Sequence, residues 1–205
     1  VAVSAVNPPL NLIVHQVGPA IAAGCPVIVK PAEDTPLSCM RFVNLLREAG
    51  LPEEYCQACV VEDLALAEKL VCDPRVAFLS FIGSARVGWL LRSRLAPGAR
   101  CALEHGGVAP VIIEQSADLA DTLTLIAKGG FYHAGQVCVS VQRVFAPRAL
   151  AAEGAQRRAA LGEAMKIGDP TSPDTDVGPL IRPREVARVS PVSYTHLRAH
   201  ETSNH

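Results

Sequence analysis

Two residues of this chain have the chemistry and the setting for covalent catalysis. Cys138 closes the run Gly135-Gln136-Val137-Cys138, and Glu104 lies in Ala102-Leu103-Glu104-His105-Gly106-Gly107. A thiolate attacks carbonyl carbon readily, and a covalent intermediate divides one difficult step into two easier ones. A carboxylate that reaches the same place supplies the base with which water releases the acyl group. Glycines beside both residues let the backbone run close to a ligand. On spacing alone a single cysteine is more often packing than nucleophile. The other six thiols lack a flanking Gly-Gln and fall in stretches that read as strand, helix or turn, so Cys138 is the candidate.

Further segments raise the case. Asn7 stands in Ser4-Ala5-Val6-Asn7-Pro8-Pro9, Lys30 opens Lys30-Pro31-Ala32-Glu33, and Ser80-Phe81-Ile82-Gly83-Ser84 precedes Ala85-Arg86-Val87-Gly88. Later come Lys166-Ile167-Gly168-Asp169-Pro170 and Asp176-Val177-Gly178-Pro179-Leu180, which read as structural loops. Each motif is weak alone. In this order and at these separations, they resemble the aldehyde dehydrogenase superfamily over residues 1 to about 188.

The resemblance implies oxidation of a small-molecule aldehyde to a carboxylic acid, with NAD as cofactor and NADP also open. Cys138 would form a thiohemiacetal, hydride would pass to a nicotinamide, and the resulting thioester would be hydrolysed by water activated by Glu104. Relatives that pass the acyl group to coenzyme A typically lack this glutamate, so its presence favours the free acid. Asn7 would donate to the oxyanion together with the Cys138 N–H; such donors are worth roughly 3–4 kcal/mol each. Lys30 and Glu33 would hold the adenosine ribose, and the Glu33 carboxylate would repel a 2′-phosphate, which leans toward NAD. Gly83 and Ser84 would offer the pyrophosphate a helix N-terminus. No metal is implied, and the full-length parent would be a homodimer or homotetramer. The match begins inside one domain and stops inside another, so the chain reads as an internal fragment with little turnover of its own.

Simpler roles exist for each residue. Asn7 suits a turn before proline; Lys30 and Glu33 suit an exposed charged turn; Glu104 suits a solvated strand end; Trp89 reads as core. Three departures from the family pattern stand out: His105 where leucine is usual, Ile82 where threonine is usual, and Pro8 directly after Asn7 with no aromatic between. The imidazole of His105 would alter either the acidity of its neighbour or the local packing. Two other functions remain open. One is a cofactor-independent thiol hydrolase built on Cys138 and His133. The other is a non-catalytic piece that only packs or binds.

Composition sets the bounds. The chain has 205 residues, 49% hydrophobic and 19% charged, which places it among core-forming globular proteins. Its 19 basic and 20 acidic residues nearly cancel and form no stripe, so nucleic acid is not an expected partner. No apolar run is long enough for a bilayer, and no leader is visible. Seven scattered cysteines argue for reduced thiols and a cytoplasmic setting. Cys56-Gln57-Ala58-Cys59 has no second ligand pair for zinc, and Cys59-Val60-Val61 reads as a strand, so this pair is packing.

Strand and helix patterns alternate. Strands are expected at 1–6, 27–30, 59–61, 76–81 and 101–103. Helices are expected at 10–23 with Gly24 as the stop, from Thr35-Pro36 as cap and first turn to Gly50, and at 62–71 and 84–95. This spacing gives an α/β fold with an open parallel sheet, whose ligands bind at the strands' carboxyl ends. Lys30, Gly83 and Glu104 fall at such ends and Asn7 lies just beyond one. A second α/β unit, the beginning of a catalytic domain, follows with strands at 110–113 and 143–146, a helix at 119–129 and an amphipathic helix at 149–165. The expected domains are 1–106 for the dinucleotide and 107–190 for catalysis. Residues 191–205 resemble the translation of a sequencing adapter and are set apart as a non-native tail, together with their histidines.

Overall fold

The computed structural model describes residues 1–201, with side chains through residue 193. Two compact units meet at the Gly106–Gly107 bond. The first carries a five-stranded, wholly parallel sheet in the order β3-β2-β1-β4-β5. Its strands are β1 (Ala2–Val3), β2 (Val27–Lys30), β3 (Cys56–Ala58), β4 (Phe78–Ile82) and β5 (Arg100–Glu104). The connections are α1 (Pro9–Ala22), α2 (Leu37–Glu48), α3 (Leu64–Val71) and α4 (Ala85–Arg94). The expected α/β class with an open parallel sheet is what the molecule has.

Side-chain alternation along the strands divides the core. Ala2 pairs with Val29 and Ser80, and this face buries Val27 and Val29 with Ile13 and Val17 of α1 and Cys39 and Val43 of α2. Val3 pairs with Phe81, and this opposite face buries Leu79 and Phe81 with Val71 of α3 and Leu91 of α4. Helices therefore cover both faces, as continuous apolar strands require. Gln16 bolts α1 to the sheet: its Nε2 donates to the Val3 and Ser80 carbonyls at 3.1 Å each and to Ser80 Oγ at 3.0 Å.

Three local readings need correction. The third strand is Cys56–Ala58, not 59–61, because Val27–Val29 take Cys56 to Ala58 as their partners. The β-branched Val60 and Val61 misled, although Cys56 is still buried. Helix α2 starts after Pro36, and Thr35 does not cap it; its hydroxyl donates to the Val6 carbonyl at 3.3 Å instead. Trp89 is not core. It stands 54% exposed, because α4 buries Gly88 and Leu91, and the Arg92 guanidinium lies 5.0 Å over its ring.

The second unit, taken by itself, holds β6 (Val111–Ile112) and β7 (Val144–Phe145) in a two-stranded parallel sheet. Between them runs α5 (Leu119–Phe131), capped by Asp118, whose carboxylate accepts the Ala120 and Asp121 N–H groups. Then come α6 (Arg148–Glu163) and α7 (Pro183–Glu201). Only Gly154 of α6 is buried, so the amphipathic face expected there is slight; Gly154 packs near Leu123 of α5. Of the segment read as a tail, the backbone through Glu201 lies in α7, while His205 and the side chains of His196 and His200 lie outside the described residues. No helix among the described residues is long and apolar enough to cross a membrane.

Candidate functional site

The carboxyl edge of the first unit's sheet collects six of the seven candidate residues. Lys30 ends β2, Gly83 follows β4, Glu104 ends β5, and Asn7 lies four residues past β1. In a parallel sheet this edge is where loops diverge and leave a crevice. A cavity of about 420 Å³ opens there, lined by Lys30, Glu33, Gly83, Ser84 and Arg86, with Leu90 among its apolar walls. That volume falls in the range of small-molecule sites. All four residues assigned to the cofactor thus border one cavity, while Asn7 and Glu104 stand outside its lining.

Each lining residue has a local cause. Lys30 is 5% exposed, and a buried ammonium needs partners. It donates to the Pro31 carbonyl at 3.1 Å and pairs with the Glu33 carboxylate, three residues on, whose side chain stays about half exposed. Ser84 is the N-cap of α4, its Oγ accepting the Val87 N–H at 3.4 Å. Cap geometry leaves the first N–H groups of α4 without intrahelical acceptors. Gly83 has no room for a side chain, since a Cβ would meet the Phe81 ring at 2.7 Å. Its N–H donates to the Glu104 carbonyl at 3.0 Å, tying the turn to the end of β5. A carboxylate, an ammonium, a bare glycine turn and a helix N-terminus beside an apolar wall fit the adenosine and pyrophosphate of a dinucleotide. Among the described residues no group of three or more metal-ligating side chains stands together.

Glu104 is exposed, and the His105 that follows it packs. The His105 ring lies 6.3 Å from Phe81 and 5.8 Å from Trp89, centroid to centroid. Its Nε2 is buried, has no hydrogen-bond partner among the described residues, and abuts the place a Cβ on Gly88 would fill. The imidazole packs here as an aromatic filler. Asn7 is half-buried, and among the described residues its side chain makes no hydrogen bond, which leaves its amide donor uncommitted.

Cys138 belongs to the second unit, in an exposed turn after α5. Residues 132–135 form a 3-10 turn in which His133 and Ala134 have φ of 52° and 55°, followed by Gly135 at 72°. Left-handed backbone costs roughly 1–2 kcal/mol at each non-glycine residue, so neighbouring contacts must impose it. Ser140, buried, donates Oγ to the Gly130 carbonyl at 2.9 Å, and the Val141 N–H donates to the Gly129 carbonyl at 3.0 Å. Sequence reasoning missed the part played by Gln136. Its Oε1 accepts the Ile181 N–H at 3.0 Å, joining the Cys138 turn to the loop that reads as merely structural. The His133 ring sits 4.9 Å from that of Tyr132, and no hydrogen bond among the described residues joins it to Cys138. Three other thiols sit in a different setting: burial pushes Cys39 up to about 11, with Cys56 adding to the rise, and burial raises Cys56 and Cys72 as well. Such thiols stay protonated and unreactive near neutral pH.

The aldehyde dehydrogenase family model matches residues 1–198. The chain belongs to the aldehyde dehydrogenase family. The match reaches past residue 188, where the resemblance carried by the motifs stops. Among curated aldehyde dehydrogenases, the 3-sulfolactaldehyde dehydrogenase of Priestia aryabhattai is 37% identical over 188 residues, covering 92% of this chain and 39% of that protein. A betaine aldehyde dehydrogenase of Cereibacter sphaeroides is 34% identical over 191 residues, with the same shares. The crystal structure of a Mycobacterium tuberculosis aldehyde dehydrogenase complexed with NAD+ superposes with a TM-score of 0.90 at 32% identity, over 97% of this chain and 41% of that one. The chain therefore spans about 39% of the length of the curated relatives it matches.

Proposed function

We propose that this chain is part of an NAD(P)-dependent aldehyde dehydrogenase that oxidises an aldehyde to a carboxylic acid. The observation that carries the reading is the single cavity bordered by Lys30, Glu33, Gly83 and Ser84 at the sheet's carboxyl edge. Family membership supports the chemistry, and solved relatives in complex with NAD+ and with NADP support the cofactor class. The cofactor, when bound, accepts two electrons as hydride.

The chain's own residues do the rest. The Cys138 sulfur adds to the carbonyl carbon, forming a C–S bond and placing the carbonyl electron pair on oxygen. The Asn7 amide and the Cys138 N–H stabilise that oxyanion, charge that appears only on the way to product. Collapse of the oxyanion restores the C=O bond as hydride departs, leaving a thioester. Glu104 takes a proton from water, the resulting hydroxide attacks the thioester, and the C–S bond breaks to return thiolate and acid. The substrate class is aldehyde. Relatives named for 3-sulfolactaldehyde, betaine aldehyde and succinate semialdehyde share this portion of the chain, so side-chain preference is set by pocket shape.

Two measurements test the reading on the 205-residue chain. The first is calorimetric titration with each dinucleotide. NAD should bind more tightly than NADP, and Glu33→Gln should shift the ratio of dissociation constants toward NADP by roughly tenfold, the effect of removing one like charge facing a 2′-phosphate. An unchanged ratio would remove Glu33 from ribose recognition, and no binding of either dinucleotide would sink the cofactor reading. The second is incubation with NAD and a panel of aldehydes, which should yield little or no NADH. Robust NADH formation would show that this stretch suffices for turnover.

A further inference from the structure

Gln136 uses both ends of its amide on backbone groups around the Cys138 turn. Oε1 accepts the Ile181 N–H at 3.0 Å; Nε2 donates to the His133 carbonyl at 2.9 Å and makes a longer contact with the Pro179 carbonyl at 3.5 Å. The Gln136 N–H donates to the same His133 carbonyl at 3.1 Å. The stretch bracketed in this way is His133-Ala134-Gly135, all left-handed. Two L residues hold that conformation only when the surroundings over-determine it. On the far side of Cys138, Ser140 ties back to Gly130, at the end of the preceding helix. Of the two, only Gln136 reaches a distant part of the chain, 45 residues onward. The segment it grips is itself braced. Asp176 accepts the Lys166 N–H through its carboxylate at 2.9 Å, and Ile167 bridges to Val177.

We propose that Gln136 is a positioning residue for Cys138: it holds the thiol in one orientation by locking the left-handed turn to segment 179–181. The residue types agree with this. Glutamine supplies one acceptor and two donors on a reach long enough to span turn and segment. Glutamate of the same length keeps the acceptor for Ile181 and loses the donors. Methionine keeps the volume and loses both. The inference rests on Cys138 as the nucleophile, and the experiment separates the two.

In the 205-residue chain, iodoacetamide labelling read by peptide mass spectrometry compares Cys138 with Cys25, an exposed thiol of the first unit. Amide hydrogen exchange reads the Ile181 N–H in parallel. Cys138 should label roughly tenfold faster than Cys25 at neutral pH, as expected of the proposed nucleophile. Gln136→Met should bring the two rates within about twofold and speed exchange at Ile181. Gln136→Glu should restore Ile181 protection and part of the labelling rate. Ile181→Pro deletes the N–H on the other side of the same bond, leaves no amide to exchange there, and should repeat the labelling result of Gln136→Met, which keeps the test standing should Gln136→Met fail to fold. A Cys138-to-Cys25 ratio that stays at its starting value in Gln136→Met or Ile181→Pro overturns the positioning role. A ratio near one in the unaltered chain overturns the nucleophile reading beneath it.

Discussion

Cys138→Ser, in an enzyme completed to the length of its relatives, is expected to cut aldehyde-dependent NADH formation by at least ~10³-fold. A serine hydroxyl stays protonated near pH 7, and on this reading no neighbouring base is assigned to activate it; a thiol supplies a usable thiolate fraction without one. Dinucleotide affinity should hold within about twofold, because Lys30, Glu33, Gly83 and Ser84 belong to a unit that folds around its own core. Steady-state rates and calorimetric binding on the same preparation separate the two effects. Residual turnover within about tenfold of the unaltered enzyme would move the covalent step to another residue. Cys39 and Cys56 are poor replacements, since burial keeps both thiols protonated.

Glu104→Gln should stall the second half of the reaction. Acylation needs the sulfur and the oxyanion donors, not the carboxylate, so stopped-flow mixing with saturating NAD should show a burst of about one NADH per active site. Steady-state turnover should fall by roughly 10²–10⁴-fold, the usual contribution of a positioned general base. Intact-mass analysis after the burst should find Cys138 carrying the acyl group. Loss of the burst together with the steady state would place Glu104 before the thioester, as a base for the thiol, and would require a different partner for water.

Much of this was legible in the chain before any coordinates. Helix stops at Gly24 and Gly50 were readable because both glycines take positive φ, 74° and 94°, which few other residues adopt without strain. The parallel sheet followed from strand–helix alternation, and with it the gathering of Lys30, Gly83 and Glu104 at one edge. The failures have physical causes as well. Val60-Val61 carries more β propensity than Cys56-Gln57-Ala58, yet pairing with β2 decides which segment is the strand. A lone tryptophan in a helix reads as core, and only the helix's orientation on the sheet tells that Gly88 and Leu91 face inward. Gln136 marked Cys138 as part of the Gly-Gln flank, but its contacts gave no signal because its partners are backbone groups of residues 133, 179 and 181, invisible to any pattern of side chains.

The bond from the Gly83 N–H to the Glu104 carbonyl ties the turn proposed to face the pyrophosphate to the residue proposed as the hydrolytic base, one step past the Ile82–Glu104 pair of the ladder. Crowding at position 83, where the Phe81 ring leaves no space, would be felt on the adjoining strand as well as in the crevice. On the proposed roles, cofactor grip and thioester hydrolysis are thus mechanically joined, and a side chain introduced at position 83 is expected to disturb both at once.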